Sequence, residues 1–312
     1  MAEKKFVIYD RNVEKYALDL AQGAPALPII ADEAHKTMES VMQICRWLLE
    51  QGADRESVVL AVGGGCTTDM VGFAAAVFKR GIRYRNYPTT LLSMVDAAIG
   101  GKTGVNLDGY KNMLGAFKLP VRTEIRPEYL RTLPEREFRS GAAELLKTFI
   151  ISDRKGNYAR AVSLLRGPVD IEALAPLVSA AADVKRKIVF KDMFEENIRR
   201  HLNLGHTYGH AVEWWQRQAP GRTDYTHGEA VAIGIVRAAR VSERLGFCRE
   251  GLADLIASDL AACGLPVELP CPCEDLLPAI RNDKKNIDGV VKFVVIKKIG
   301  KVALADIPFS EL

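Results

Sequence analysis

The chain carries little excess charge, few histidines and no long apolar run. A formal net charge of +4 over 312 residues is small and dispersed. It gives no ground for a nucleic-acid partner and at most suits an anionic small molecule. No stretch approaches the length of a membrane span. Met1-Ala-Glu-Lys-Lys5 has no apolar core of a secretory leader, so a cytoplasmic protein is expected, with neither membrane nor nucleic acid as partner. The six cysteines show no pattern, and Cys271-Pro-Cys273 is too tight for paired zinc spacing. They read as reduced thiols. No internal repeat or low-complexity segment stands out. With 48% hydrophobic and 26% charged residues, the composition is that of an ordinary globular protein, long enough for two domains.

The scarcity of histidine makes its placement informative. Two of the five lie in Asn203-Leu-Gly-His206-Thr-Tyr-Gly-His210-Ala-Val-Glu213, and His227 follows in Thr226-His-Gly-Glu-Ala230. Residues four apart share a helix face, so His206 and His210 can address one site. Neutral imidazole is the commonest metal ligand and the side chain best suited to move protons near neutral pH. In Ala142-Ala-Glu-Leu-Leu-Lys-Thr148, Glu144 and Lys147 lie three apart on a helix whose neighbours make it look buried. A surface pair would mean little there, but buried charges need partners. A carboxylate added to two histidines leaves positions open for substrate, as in catalytic zinc sites.

The N-terminal part reads as α/β. Lys5–Tyr9 and Leu27–Ile30 look like strands, and 37–51 an amphipathic helix ended by Gly52. Ser57-Val-Val-Leu-Ala-Val62 is apolar and β-branched, as expected of a parallel strand covered on both faces. Gly63-Gly-Gly65 follows, and Thr67-Thr68-Asp69 opens the next helix. Strand, glycine turn and helix N-terminus form a cradle for phosphate, although the G-x-G-x-x-G spacing is absent. Ile82–Tyr87 is a further strand, and 91–98 a short helix carrying Asp96. Gly100-Gly-Lys102-Thr-Gly-Val-Asn106 reads as a second glycine-rich loop, with Lys111 and Asn112 beyond it supplying donors for an anion. After residue 130 helical periodicity takes over until a late hairpin over 290–296 and 301–306. Lys185, Glu195, Arg199 and Asn203 concentrate charge ahead of His206.

Taken in order, Gly63-Gly-Gly-Cys-Thr-Thr-Asp69, Lys79-Arg-Gly81, Pro88-Thr-Thr-Leu-Leu92, Val95-Asp96, Gly100-Gly-Lys-Thr103, Lys111-Asn112, Ala143-Glu144 with Lys147, Asn203 to His210 and His227-Gly-Glu-Ala-Val231 closely resemble the 3-dehydroquinate synthase family of sugar phosphate cyclases. The resemblance runs through most of the chain. It implies a Rossmann-like, mainly parallel NAD-binding α/β domain over 1–130 and a mostly helical metal- and substrate-binding domain over 131–312. It also implies an active site in the cleft between them, a divalent zinc or cobalt, and a homodimer. Carried over by position, Glu144, His206 and His227 hold the metal, which replaces the reading of His206 and His210 as a ligand pair. Asp96, Lys102, Asn112, Lys147, Lys185, Glu195, Arg199, Asn203, His210 and Lys284 line the substrate pocket, and Arg80 reaches the phosphate of the neighbouring subunit. Of these, His210, Lys147, Lys102, Asp96, Asn203 and Glu195 are the catalytic candidates. Asp10, Asn12, Glu33, Lys36, Gly64, Gly65, Asp69, Thr89, Thr90, Lys111 and Thr132 fall on the cofactor side.

The implied reaction turns 3-deoxy-arabino-heptulosonate 7-phosphate into 3-dehydroquinate and phosphate, a step of the shikimate pathway to aromatic amino acids. It proceeds by transient oxidation, phosphate elimination, re-reduction and aldol closure, with NAD carrying the hydride. Departures from the family pattern are a shortened N-terminus that lacks an opening strand pair, Asp32 before Glu33 and Tyr110 before Lys111 where glycine is usual, and a somewhat extended 210–227 segment. Three rivals remain: an inosose- or valiolone-type cyclase, a metal-dependent polyol dehydrogenase and a non-catalytic relic. Lys185, Arg199 and Asn203, suited to a carboxylate, favour the acid substrate; the filled phosphate and metal positions disfavour the other two.

Overall fold

The computed structural model describes residues 3–108, 110–281 and 289–312. The chain divides into two compact units, Met1–Leu133 and Pro134–Leu312.

In the first unit β1 (Lys5–Asp10) leads through a short turn into α1 (Glu14–Ala21), then β2 (Ala26–Ile29) and α2 (Met38–Glu50). Thr37 caps α2, its hydroxyl accepting from Ser40 N–H at 3.3 Å. β3 (Val58–Gly63), α3 (Gly65–Val77) and β4 (Arg83–Pro88) follow. The sheet order is β2-β1-β3-β4-β7, closed by the two-residue β7 (Arg122–Thr123), and every pairing is parallel. Alternate residues of β1 enter opposite cores. Phe6 and Ile8 join Val59, Ile44, Leu48, Met70 and Phe73 under α2 and α3. Val7 and Tyr9 join Leu60, Val62, Ala17 and Ala21 under α1. That two-sided burial explains why β3 reads as an unbroken apolar run rather than an alternating one.

Residues 100–106, expected as a loop, are instead largely strand. β5 (Lys102–Leu107) pairs antiparallel with β6 (Tyr110–Phe117). The glycines responsible for the loop expectation serve the pairing: Gly104 opposes Gly115, and a Cβ on either would stand 2.5 or 2.2 Å from the facing backbone. α3 begins at Gly65, two residues earlier than Thr67, so Gly63 ends β3, Gly64 caps the helix and Gly65 is its first residue. The expected helix over 91–98 is present over 91–97, with Ser93–Ala97 as a π-helical turn.

The second unit is built on α4 (Glu135–Ile151), α5 (Asn157–Leu165), α6 (Ile171–Lys191), α7 (His206–Gln216), α8 (His227–Arg244), α9 (Leu252–Ala262) and α10 (Leu277–Arg281), with the hairpin β8 (Val290–Lys298) and β9 (Lys301–Pro308). The hairpin is tied to α8 by Ile296 N–H, which donates to Ser242 Oγ at 2.8 Å. No helix among the described residues is long and apolar enough to cross a membrane.

Candidate active site

In the second unit the site grows from three helices that touch backbone to backbone. α4 is buried from Ser140 to Ile151 and carries Glu144 and Lys147, at most 1% exposed. α8 begins at His227 against α4. A Cβ on Gly228 would stand 1.9 Å from the Ser140 carbonyl oxygen, and Gly228 N–H donates to Ser140 Oγ at 3.0 Å. α7 begins at His206 after Gly205, whose φ of +80° suits glycine, and crosses α8 just as closely. A Cβ on Gly234 would meet the Gly205 carbonyl oxygen at 1.9 Å. Both histidines are therefore first residues of helices, brought together by contacts only glycine permits. The N-terminus of α8 is fixed further by Thr226 and Glu229, which cap each other's backbone at 3.3 and 2.7 Å, and by Arg136 of α4, which donates to Glu229 Oε2 at 2.9 Å.

Glu144, His206 and His227 converge, with one ligand atom of each within 4.8 Å of the others. His227 Nε2 is 3.5 Å and His206 Nε2 3.8 Å from Glu144 Oε1, while Lys147 Nζ meets Oε2 at 2.5 Å. Among the described residues neither buried carboxylate oxygen has a hydrogen-bond partner of regular geometry. Burial alone would raise the Glu144 carboxyl, but Lys147 and His227 outweigh it and hold it down at about 2. Burial pushes His206 well below its usual value, helped by Lys147 and the neighbouring rings, so it is a neutral imidazole at pH 7. His227 is opposed by burial but carried up to about 9 by Glu144 and Glu213. An ionised carboxylate with an unsatisfied oxygen facing two imidazole nitrogens has the ligand types and number of a catalytic zinc-type centre. His210 is exposed and stands beside the cluster, its ring 5.2 Å from that of His206 and 6.4 Å from that of His227.

Ahead of α7, Asn203 Nδ2 donates to Glu195 Oε1 at 2.6 Å. The segment bearing Glu195 is tied by Asp192, whose carboxylate accepts from the N–H of Glu196, Asn197 and Arg199 at 2.9, 2.7 and 2.9 Å. Burial opposes these bonds, yet together they lower the Asp192 carboxyl. Lys185 on α6 and Arg199 are buried cations, and the Arg199 guanidinium donates to the Met193 carbonyl. Lys284 lies outside the described residues. Sequence reasoning gave no role to Glu213, buried on α7, whose Oε1 lies 3.4 Å from His227 Nδ1. The spacing of 206, 210 and 213 on one helix face was the available signal. Asp192, Ser140 and Arg136 left none, because their partners are distant or main-chain.

In the first unit the cofactor-side candidates gather at the carboxyl ends of the parallel strands. β1 connects to one side of the sheet and β3 to the other, so the chain reverses between them, where open α/β sheets receive ligands. Asp10 ends β1 and accepts from Asn12 N–H and Nδ2 at 3.0 Å. Gly64 and Gly65 follow β3, where a Cβ on Gly63 would strike Thr67 Oγ1 at 2.2 Å. Thr89 N–H donates to the Gly63 carbonyl at 3.0 Å, and Thr90 Oγ1 donates to Ser93 Oγ at 2.9 Å. Lys36 is buried, its Nζ 2.6 Å from both Asp69 Oδ2 and Asn112 Oδ1. Burial lowers its affinity for a proton, but Asp69 raises it more. Asn112, expected at substrate, thus joins this network through its side-chain oxygen. Glu33 accepts from Asn106 Nδ2 at 2.9 Å, Lys111 acts electrostatically on Glu33, and Thr132 Oγ1 is 3.2 Å from Tyr16 OH. Asp96 sits on the π-helical turn, Lys102 at the head of β5 and the exposed Arg80 beyond α3, at φ +67°.

A parallel sheet with a glycine cradle at its switch point, and a helical unit with a two-histidine, one-carboxylate cluster, define a metal-assisted enzyme of nucleotide-linked chemistry. The chain belongs to the 3-dehydroquinate synthase family: the family's N-terminal description matches residues 26–140 and its C-terminal description residues 141–286. It is 42% identical over 312 residues to 3-dehydroquinate synthase of Acidithiobacillus ferrooxidans, covering 96% of this chain and 84% of that one. It is 38% identical over 303 residues to that of Dictyoglomus thermophilum, covering 96% and 82%. The solved structure of 2-epi-5-epi-valiolone synthase from Streptomyces hygroscopicus, with NAD+ and Zn2+ bound, matches with a TM-score of 0.85 at 28% identity, over 98% of this chain and 88% of that one. The chain is accordingly an enzyme, a lyase of the phosphate-eliminating cyclase type acting on a phosphorylated sugar.

Proposed function

We propose that the chain converts 3-deoxy-arabino-heptulosonate 7-phosphate to 3-dehydroquinate and phosphate, using NAD and a divalent zinc or cobalt ion, as a cytoplasmic homodimer. The observation that carries the reading is the convergence of Glu144, His206 and His227 beside the buried Lys147 and the exposed His210. The orphaned Glu144 oxygen and the two facing Nε2 atoms fit the metal, and the cradle at Gly63–Gly65 fits the NAD pyrophosphate. When bound, NAD supplies a hydride acceptor that is later restored, and the metal a Lewis acid for vicinal hydroxyls.

The chain's own residues divide the remaining work. Glu144, His206 and His227 hold the metal. Asp10, Asn12, Gly64, Gly65, Thr89 and Thr90 hold and orient the nucleotide at the strand ends, with the Lys36–Asp69 pair, Glu33, Lys111 and Thr132 around them. Lys102, Arg80, Asn112, His210 and Lys284 neutralise the phosphate, Arg80 from the other subunit. Buried Arg199 and Lys185 meet the carboxylate, with Arg199 suited to a planar, bidentate pair. Asn203 and Glu195, already joined, orient hydroxyls together with Asp96. His210 is placed to move a proton and Lys147 to keep Glu144 ionised.

The test is phosphate release from the heptulosonate phosphate that requires both metal and NAD while NADH does not accumulate. Steady NADH accumulation would replace the cyclase reading with a dehydrogenase. The likeness to a valiolone synthase makes sedoheptulose 7-phosphate the control substrate, and faster release from it than from the acid would reassign the substrate.

A further inference from the structure

His227 is gripped at both ring nitrogens. Its Nε2 faces Glu144 Oε1 at 3.5 Å, and its Nδ1 faces Glu213 Oε1 at 3.4 Å. Glu213 lies on α7, three residues past His210 and seven past His206, and its side chain is 8% exposed. His206 is anchored in the same sense: its Nδ1 is 3.1 Å from the Leu204 carbonyl oxygen and its Nε2 faces Glu144. A carbonyl can only accept, so the His206 proton sits on Nδ1 and the Nε2 lone pair points into the cluster. Among the described residues no carbonyl performs that task at His227, and a buried carboxylate stands in the equivalent place.

We propose that Glu213 is a positioning residue for His227. It accepts a hydrogen bond from Nδ1–H, so that when a metal displaces the Nε2 proton the lone pair on Nε2 faces it, and it holds the ring plane toward Glu144 and His206. A carboxylate behind an imidazole also makes the ring a stronger donor than a carbonyl does. Because Glu213 rides on the helix that His206 begins, one rigid element carries a ligand and the orienting group of the other ligand. The inference rests on Glu144, His206 and His227 being the metal site, and deepens that reading.

The experiment uses the full chain and zinc alone, with affinity read by competition against a chromophoric chelator. Outer-shell partners of this kind are worth about 10- to 100-fold in metal affinity, and Glu213→Ala is expected to lose that much. Glu213→Gln, which keeps an oxygen to accept from Nδ1, is expected to recover most of the loss. In a His227→Ala background, Glu213→Ala is expected to change nothing further, because the ring it orients is gone. Nitrogen-15 shifts of zinc-loaded chain should show His227 protonated at Nδ1 and bound through Nε2, and a mixture of states in Glu213→Ala.

Unchanged zinc affinity in Glu213→Ala, with His227→Ala losing zinc, would overturn the proposal and leave the metal site standing. An equal loss on adding Glu213→Ala to His227→Ala would show a merely structural role and overturn it as well. Full zinc retention by His227→Ala would instead remove the metal-site reading on which it rests. Should Glu213→Ala not fold, Glu213→Met, closer in volume, carries the same comparison.

Discussion

Replacing Lys147 with methionine keeps most of the side-chain volume and removes only the charge that faces Glu144. Lys147 Nζ and Glu144 Oε2 are 2.5 Å apart with side chains 1% and 0% exposed, so no water takes the place of the lost ammonium. Deleting one member of such a buried pair costs about 3–5 kcal/mol. For a unit of this size each kcal/mol shifts Tm by about 2–4 °C, so the metal-free variant should melt about 6–20 °C lower. A divalent cation held by Glu144 supplies the missing positive charge, and in zinc-loaded protein the shift should shrink to a few degrees. Calorimetric melts of wild type and variant, each with excess chelator and with zinc, measure both shifts. Adding Glu144→Gln to Lys147→Met should restore much of the metal-free loss, because the uncompensated charge is then gone. Equal shifts with and without zinc, or no shift in the metal-free protein, would refute the account of this pair.

Other expectations follow from the same geometry. His206→Ala should lose zinc on dialysis, whereas His210→Ala should retain it and lose turnover; equal metal loss by both variants would contradict the assigned roles. Gly234→Ala forces a Cβ to 1.9 Å from the Gly205 carbonyl, and overpacking of that kind costs about 1–3 kcal/mol, visible in a thermal melt. Asp192→Ala removes the acceptor of three backbone N–H groups and should lower turnover through Glu195 and Asn203 while far-ultraviolet circular dichroism stays unchanged. The Glu229 carboxyl is raised by burial but lowered more by Arg136 and Thr226, so its folded value lies below the ordinary 4.5. Its stabilisation is therefore complete above that value and lost as pH falls through the folded one. The Tm difference between wild type and Glu229→Gln should be widest near neutrality and close in acid.

The β3–glycine–α3 passage was legible because strand, turn and helix each announce themselves locally, and two-sided burial demands the apolar run that Val58–Val62 displays. The hairpin at Lys102–Phe117 was not, since Gly104 and Gly115 look like loop residues until their mutual register is known. Two-residue β7 is too short for any periodicity to reveal. In the helical unit, His206 and His210 read naturally as a pair by spacing, yet it is His227 that stands with His206 and Glu144. That grouping depends on Gly205, Gly228 and Gly234, whose contacts lie far off in sequence. Glu213 shares the helix face of His206 and His210, but its contact with His227 requires the crossing of α7 and α8.

Both imidazoles are the first residues of helices whose backbones abut at fixed points, and the stretch from Arg217 to Tyr225 joins them while holding onto the same frame: Gln216 and Tyr225 exchange hydrogen bonds, Arg222 donates to the Trp215 carbonyl and Arg136 to that of Asp224. The reach between the two ring nitrogens is thus set by the helix crossing and not by the contour length of the connector. Insertions at the exposed 220–221 are expected to leave those ties, and with them the coordination geometry, in place. Connector length is then a variable only at that tip, while at the crossing even one added methyl group lowers stability.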